Sequence, residues 1–319
     1  MTPKFTVYVL DPYHPDAIKL LQSDPNIKTI LPTDPAQTCW HAHADGIILR
    51  SETVLSAKDF SQAKKLKVVV KQGVGVDNID LDAARKHGVA VHNTPALNSE
   101  SVAELCMALT LALSRRICEI DRAIRKGQRV VRSQVLGVSM FRKTVGVIGM
   151  GNIGKVVAQK WLGAFECRIL GFDPVAPKDA WNDVKHDRVW CLDELLKQSD
   201  LVTLHVPLLE STRGMIGEEQ FKDMKMTAIL VNCARGGVVD EAALLHALKE
   251  GQIWGAVLDA METEPPTLES YGDLLALENV IMTPHVGAST VENQCRSGTV
   301  VIDTLLKVLN EETAPGKVC

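Results

Sequence analysis

The sequence predicts an α/β protein of two Rossmann-like domains, each a doubly wound parallel sheet with helices on both faces. Three observations carry this. Short apolar runs alternate with amphipathic helical patterns along all 319 residues, which is the signature of successive βαβ units. The rhythm runs twice, with a long helical pattern between the two series. The length suits two domains better than one core.

In order, Phe5–Leu10, Gly46–Leu49, Val68–Val70 and Val89–His92 read as strands. The segments between them are amphipathic and capped by Pro, Asp or Ser. Ser99–Lys126 reads as one long helix ended by Gly127, with Val102, Leu105, Leu109 and Leu113 on its apolar face. Strands resume at Thr144–Ile148, Cys167–Phe172, Leu201–His205, Ala228–Val231, Ala256–Leu258 and Val280–Met282. A last helix is expected from about Ser289 to Leu309 and a loose polar tail over Glu311–Cys319. The expected domains are 98–289, and 1–97 completed by 290–319, with a ligand cleft between them.

The sharpest local signal is TVGVIGMGNIG at Thr144–Gly154. A buried strand runs into Gly149-Met150-Gly151-Asn152-Ile153-Gly154, a G-x-G-x-x-G. The first glycine permits the tight turn, the second lets backbone approach a pyrophosphate, and the third lets helix pack on strand. The helix opening there turns free N–H groups and its positive dipole end towards the phosphates. Asp173 ends the next apolar run, where a carboxylate can hold the adenosine ribose hydroxyls. That carboxylate repels a 2′-phosphate, and Pro174-Val175-Ala176-Pro177 offers no arginine, so NAD is the expected cofactor.

Three further strand ends bear reactive side chains. Arg235 follows Ala228–Val231, Glu264 follows Ala256–Leu258, and His285 follows Val280–Met282. Ligands of an open parallel sheet bind beyond these carboxyl ends. Reducing a 2-keto acid adds hydride to carbon and a proton to oxygen. A histidine can supply the proton near neutrality, a carboxylate can orient it, and an arginine can grip the substrate carboxylate. Arg, Glu and His on a nicotinamide domain therefore make a coherent dehydrogenase site.

Other function classes find less support. Net charge is −4, with no long basic run, which argues against nucleic acid. No apolar stretch reaches membrane-spanning length, and the N-terminus lacks an apolar signal core. The eight cysteines are scattered without C-x-x-C, so a reduced, cytoplasmic protein is expected. His41-x-His43 lacks a third ligand in the sequence, and no metal is expected.

The chain resembles the D-isomer-specific 2-hydroxyacid dehydrogenases, most closely the D-3-phosphoglycerate dehydrogenase branch. The resemblance rests on VKQGVGVDNIDLDAARKHGVAVHNTP (Val70–Pro95), NSESVAE (Asn98–Glu104), GMGNIG, Asp173-Pro174, HVPLLESTRG (His205–Gly214), NCARGGVVDEAAL (Asn232–Leu244), LDAMETEPP (Leu258–Pro266) and TPHVGASTVENQ (Thr283–Gln294). It implies a flavodoxin-like substrate domain, a Rossmann-type NAD domain, and Arg235, Glu264 and His285 as catalytic residues, His285 being the acid/base. It implies cofactor contacts at His205, Val206, Pro207, Thr212, Cys233, Ala234, Asp259 and Gly287, with Asp259 beside the nicotinamide carboxamide. It also implies substrate contacts at Arg50, Ser51, Val74, Gly75 and Asn98, and a homodimer through the NAD domain. His205 itself reads as structural rather than catalytic, and Cys233 suits packing better than nucleophilic work.

Two departures matter. The family's basic segment before the cofactor strand is here Lys126-Gly127-Gln128-Arg129-Val130-Val131-Arg132, which leaves phosphate recognition by Arg50 or Arg132 open. The aromatic after Asp259 is replaced by Ala260-Met261. Phosphohydroxypyruvate, hydroxypyruvate, glyoxylate and other 2-keto acids are all candidate substrates. The chain ends after its last helix, so serine-sensing feedback is not expected. An NADH-sensing, partner-binding protein of the corepressor kind is the alternative on the same fold.

Overall fold

The computed structural model describes residues 3–319. It divides into two compact units: one runs to Asn98 and resumes at Ala288–Cys319, and the other is Ser99–Gly287. Asn98 thus falls in the first unit, and the second ends at Gly287.

The first unit holds β1 (Phe5–Val9), β2 (Ile27–Ile30), β3 (Gly46–Leu49), β4 (Val68–Lys71) and β5 (Ala90–His92). They form a parallel sheet of order β2-β1-β3-β4-β5, the flavodoxin-like winding. Strands β3 and β4 are buried throughout, which is why they read as unbroken apolar runs. The helix Val291–Leu309 begins at Thr290, whose hydroxyl accepts from the Asn293 N–H. Its Val301, Ile302, Leu305 and Leu309 pack on Phe5, Val7, Ile48 and Val68.

Strand β2 lies outside the expected set. It is an edge strand, and its IKTI sequence sets exposed Lys28 and half-buried Thr29 between two buried isoleucines. The tail also departs from expectation. It lies against the β5 edge, with an antiparallel bridge between His92 and Lys317. The Val318 N–H donates to the Val91 carbonyl at 2.8 Å, and the Asn93 N–H donates to the Gly316 carbonyl at 2.8 Å. Edge pairing and the packing of Val318 and Cys319 on the Leu49–Val91 core replace the loose tail.

The second unit holds β6 (Thr144–Ile148), β7 (Arg168–Phe172), β8 (Asp187–Arg188), β9 (Leu201–Leu204), β10 (Ile229–Asn232), β11 (Gly255–Leu258) and β12 (Val280–Met282). The order is β12-β11-β10-β9-β6-β7-β8, parallel throughout. Counted from β6, this is the dinucleotide-fold winding with one strand added beyond β11. The winding reverses between β6 and β9, which pair directly. Separate apolar clusters cover the two faces.

The single helix expected over Ser99–Lys126 is two helices, Ser99–Ser114 and Ile117–Arg125. Arg116 sits between them in the left-handed region at φ 55°. Its guanidinium forks onto both Glu119 oxygens at 2.6 and 2.7 Å. The Val138 N–H takes the Ser114 carbonyl, closing the first helix. The face actually buried runs through Val102, Ala103, Cys106, Thr110 and Leu113, while Leu105 and Leu109 are half-buried.

Candidate active site

The Ser99–Gly287 unit presents its chemistry at the carboxyl ends of its strands. Gly149 follows β6 at the point where the winding reverses. Its φ is +99°, and a β-carbon there would stand 2.5 Å from the His205 carbonyl oxygen, so only glycine fits. Gly151 differs: a β-carbon would meet nothing within 4 Å. It precedes the helix Asn152–Phe165, whose first turn has no side-chain cap. Free N–H groups of Asn152, Ile153 and Gly154 beside open space suit an anionic ligand.

Asp173 follows β7. One of its carboxylate oxygens accepts from the Met150 N–H at 2.9 Å, and the other from the Val175 and Ala176 N–H groups at 3.0 Å. The acid is thereby held against the glycine turn. An arginine missed in the sequence lies beneath it: Arg188 on β8 donates to the carbonyls of Asp173, Ala176 and Pro177. These bonds tie the loop that follows Asp173 to β8. At the end of β9, His205 Nε2 meets the Thr203 hydroxyl at 2.9 Å, and its buried Nδ1 has no partner. Turn, capless helix end, aligned carboxylate and unpartnered ring nitrogen together fit a dinucleotide. Val206 and Pro207 follow on this strand end, and the Thr212 hydroxyl closes the loop onto the Pro207 carbonyl at 2.7 Å.

β10, β11 and β12 lie side by side, so their end residues become neighbours. His285 Nδ1 lies 3.1 and 3.0 Å from the two Glu264 oxygens. Burial pushes the Glu264 carboxyl up, but the His285 hydrogen bond and charge, the Met261 N–H and the Arg235 charge outweigh it. The net result holds Glu264 below its ordinary 4.5. An ionised Glu264 therefore faces Nδ1 and leaves Nε2 as the free end of the ring. Arg235 is close enough for its charge to act on that carboxylate. Its guanidinium donates to the Ala234 carbonyl at 2.7 Å.

The loops carrying these groups are pinned from within. Asn232 donates to the Arg235 and Ala260 carbonyls and accepts from the Ala234 N–H. Buried Asp259 accepts from the Thr283 hydroxyl and from the Val286 and Gly287 N–H groups at 2.7–2.9 Å. The resemblance singled out Asp259 for the cofactor; locally it shapes the turn that presents His285, at φ 53°. Cys233 is buried, and contact with Cys106 together with burial pushes its thiol well above 9.0.

In the other unit, the Arg50 N–H donates to buried Asp11, and its guanidinium reaches the Pro12 carbonyl at 3.4 Å. Ser51 Oγ accepts from the buried Lys71 ammonium at 2.9 Å, a cation that the sequence did not single out. Val74 is exposed, beside Gly75, and its carbonyl accepts from Asn93. The Asn98 side-chain oxygen is buried without a partner. His41 is engaged by Asp59 at 2.8 Å.

Residues 107–287 match the family described as D-isomer specific 2-hydroxyacid dehydrogenase, NAD binding domain. The chain belongs to this family. Among its relatives, a D-3-phosphoglycerate dehydrogenase of Methanocaldococcus jannaschii is 43% identical over 97% of this chain and 58% of its own length. A hydroxypyruvate reductase of Thermotoga maritima is 39% identical over 96% of this chain and 99% of its own. The chain thus spans little more than half of the phosphoglycerate dehydrogenase and nearly all of the reductase. Of solved structures, the TT0316 protein from Thermus thermophilus aligns with TM-score 0.89 at 34% identity, covering 98% of this chain and 100% of that one. A D-lactate dehydrogenase from Aquifex aeolicus, complexed with NAD and lactic acid, aligns with TM-score 0.82 at 31% identity over 96% of both chains.

Proposed function

We propose that this family member is an NAD-dependent D-2-hydroxyacid dehydrogenase that reduces a 2-keto acid, or runs the reverse reaction. The carrying observation is the His285–Glu264 pair, set at the ends of two adjacent strands in the unit that matches the family's NAD-binding domain. When bound, NADH supplies the hydride. The chain's own residues do the rest. Arg235 grips the substrate carboxylate and polarises the carbonyl. His285 delivers a proton from Nε2 to the carbonyl oxygen, and Glu264 on Nδ1 fixes the ring and stabilises its charged form. Gly149, Gly151, Asn152, Ile153 and Gly154 receive the pyrophosphate. Asp173 takes the ribose hydroxyls, and His205, Val206, Pro207, Thr212, Cys233, Ala234, Asp259 and Gly287 line the rest of the cofactor.

Arg50, Ser51, Val74, Gly75 and Asn98 hold the substrate. The Ser51–Lys71 contact beside Arg50 supports a keto acid with a polar or anionic substituent, such as hydroxypyruvate or its phosphate. The protein works as a cytoplasmic homodimer. Its eight cysteines are free, as a reducing compartment requires, and no helix among the described residues is long and apolar enough to cross a membrane. The pairing surface is the Ser99–Arg125 helical region, which exposes Ile117 and Ile124, with Leu136 and Phe141 following in the chain.

The test follows NADH absorbance with glyoxylate, pyruvate, hydroxypyruvate and phosphohydroxypyruvate. Turnover of at least one supports the enzyme. Tight NADH binding without turnover of any would favour a nucleotide-sensing partner protein.

A further inference from the structure

We propose that the first unit carries a zinc site formed by His14, Asp16 and Cys295. The three residues come from opposite ends of the chain, with Cys295 and Asp16 separated by 279 positions. No ligand spacing in the sequence announces them. In the fold, their donor atoms all lie within 4.8 Å of one another. His14 Nδ1 is 3.7 Å from Asp16 Oδ2, and Cys295 Sγ is 4.0 Å from the same oxygen. Bonds of 2.0–2.3 Å around a tetrahedral zinc put ligand atoms about 3.3–3.8 Å apart. The cluster needs only small side-chain adjustments to close on an ion.

The packing explains why the ligands meet. His14 caps the helix Pro15–Ser23, and Asp16 lies in its first turn. Cys295 lies on the helix Val291–Leu309, which crosses the first helix at Gly298 and Ala17. A β-carbon at Gly298 would stand 2.9 Å from that of Ala17, so the glycine lets the helices approach closely. Cys295, three residues earlier, is thereby set opposite Asp16. Both ligand-bearing helices are anchored by buried residues, Ala17 and Leu21 on one and Val301 and Ile302 on the other. The donors thus sit on rigid elements.

The donor chemistry also suits the ion. The Asp16 N–H donates to His14 Nδ1 at 3.3 Å, so a metal must displace this capping contact to reach the Nδ1 lone pair. Binding exchanges that long hydrogen bond for a metal bond. Lys19 engages Asp16 Oδ1 at 3.4 Å, leaving Oδ2 as the inward donor. Cys295 releases its thiol proton to solvent on binding. Imidazole, thiolate and carboxylate together favour zinc over magnesium or calcium. No fourth donor joins the group among the described residues, and water completes the sphere. The site would be exchangeable and would staple the first helix of the unit to its last.

The experiment titrates metal-free full-length protein with Co²⁺ and then displaces it with Zn²⁺ against a chromophoric chelator. The wild type should bind one Co²⁺ per chain with a thiolate-to-cobalt absorption in the near ultraviolet. Cys295→Ser should abolish that absorption, and both it and Asp16→Asn should weaken zinc by at least about tenfold. Zinc should raise the wild-type melting temperature but not that of Cys295→Ser. An absorption unchanged in Cys295→Ser, equal zinc affinity in both variants and the wild type, or no one-to-one binding would overturn the proposal.

Discussion

Gly149 and Gly151 belong to one motif, yet the structure assigns them different work, and alanine separates the two. At Gly149 a methyl group would sit 2.5 Å from the His205 carbonyl oxygen, almost an ångström short of the 3.4 Å at which ordinary contact begins. The backbone there also has φ +99°. Positive-φ strain and a forced backbone shift together cost about 2–5 kcal/mol. For a unit of this size that lowers the melting temperature by about 5–15 °C. At Gly151 the same methyl meets nothing within 4 Å, so the unliganded protein should melt within about 2 °C of wild type. The methyl would instead occupy space beside the uncapped helix end. NADH affinity should fall at least about tenfold, or roughly 1.4 kcal/mol. Thermal melts followed by circular dichroism and NADH fluorescence titrations read both quantities. A Gly151→Ala protein that binds NADH like wild type would refute the placement of the pyrophosphate. A Gly149→Ala protein of unchanged stability would refute the packing argument.

His285→Gln should lower kcat for keto-acid reduction by about 10²–10⁴-fold, with the NADH dissociation constant within about threefold of wild type; stopped-flow turnover and fluorescence titration separate the two. Asp173→Ser should narrow the preference for NADH over NADPH by at least about tenfold in kcat/KM, and an unaltered ratio would remove Asp173 from ribose recognition. Because the folded Glu264 carboxyl is held below 4.5, its contribution to stability is present above that pH and lost as pH falls through the lower folded value. In urea unfolding, the deficit of Glu264→Gln relative to wild type should therefore be visible near pH 6 and shrink below about pH 4.5; a deficit that grows towards acid would contradict the pairing. Removing residues 316–319 deletes the Asn93–Gly316, Val318–Val91 and Val91–Cys319 backbone bonds, at about 1 kcal/mol each, and should lower the urea midpoint of the first unit.

Much of this architecture is legible in the sequence because strands buried on both faces must be apolar throughout. β3, β6 and β12 coincide to the residue with their apolar runs, and β1, β4, β5, β7, β9, β10 and β11 to within one or two. What escapes is the periphery. β2 and the two-residue β8 are edge strands in which exposed or half-buried polar residues, Lys28 and Thr29 in one and Asp187 and Arg188 in the other, interrupt or replace the apolar run. The break at Arg116 carries neither glycine nor proline; a fork onto Glu119 and backbone docking from Val138 sustain it. The candidate site follows the same logic. His285 and Glu264 are foreseeable because consecutive parallel strands bring their ends together. Lys71 behind Ser51 and Arg188 beneath Asp173 are not, since both act through side-chain reach across the sheet. The tail on β5 depends on a distant partner and carries no local pattern.

The helix Val291–Leu309 covers a sheet whose strands are all made within the first hundred residues. During synthesis that sheet must wait, its Val7, Ile48 and Val68 face covered only by Ala17 and Leu21 of the first helix, while the whole intervening unit emerges and folds. The unit begun second is thus the first able to finish. The unit begun first stays open to chaperones until its distant helix has left the ribosome.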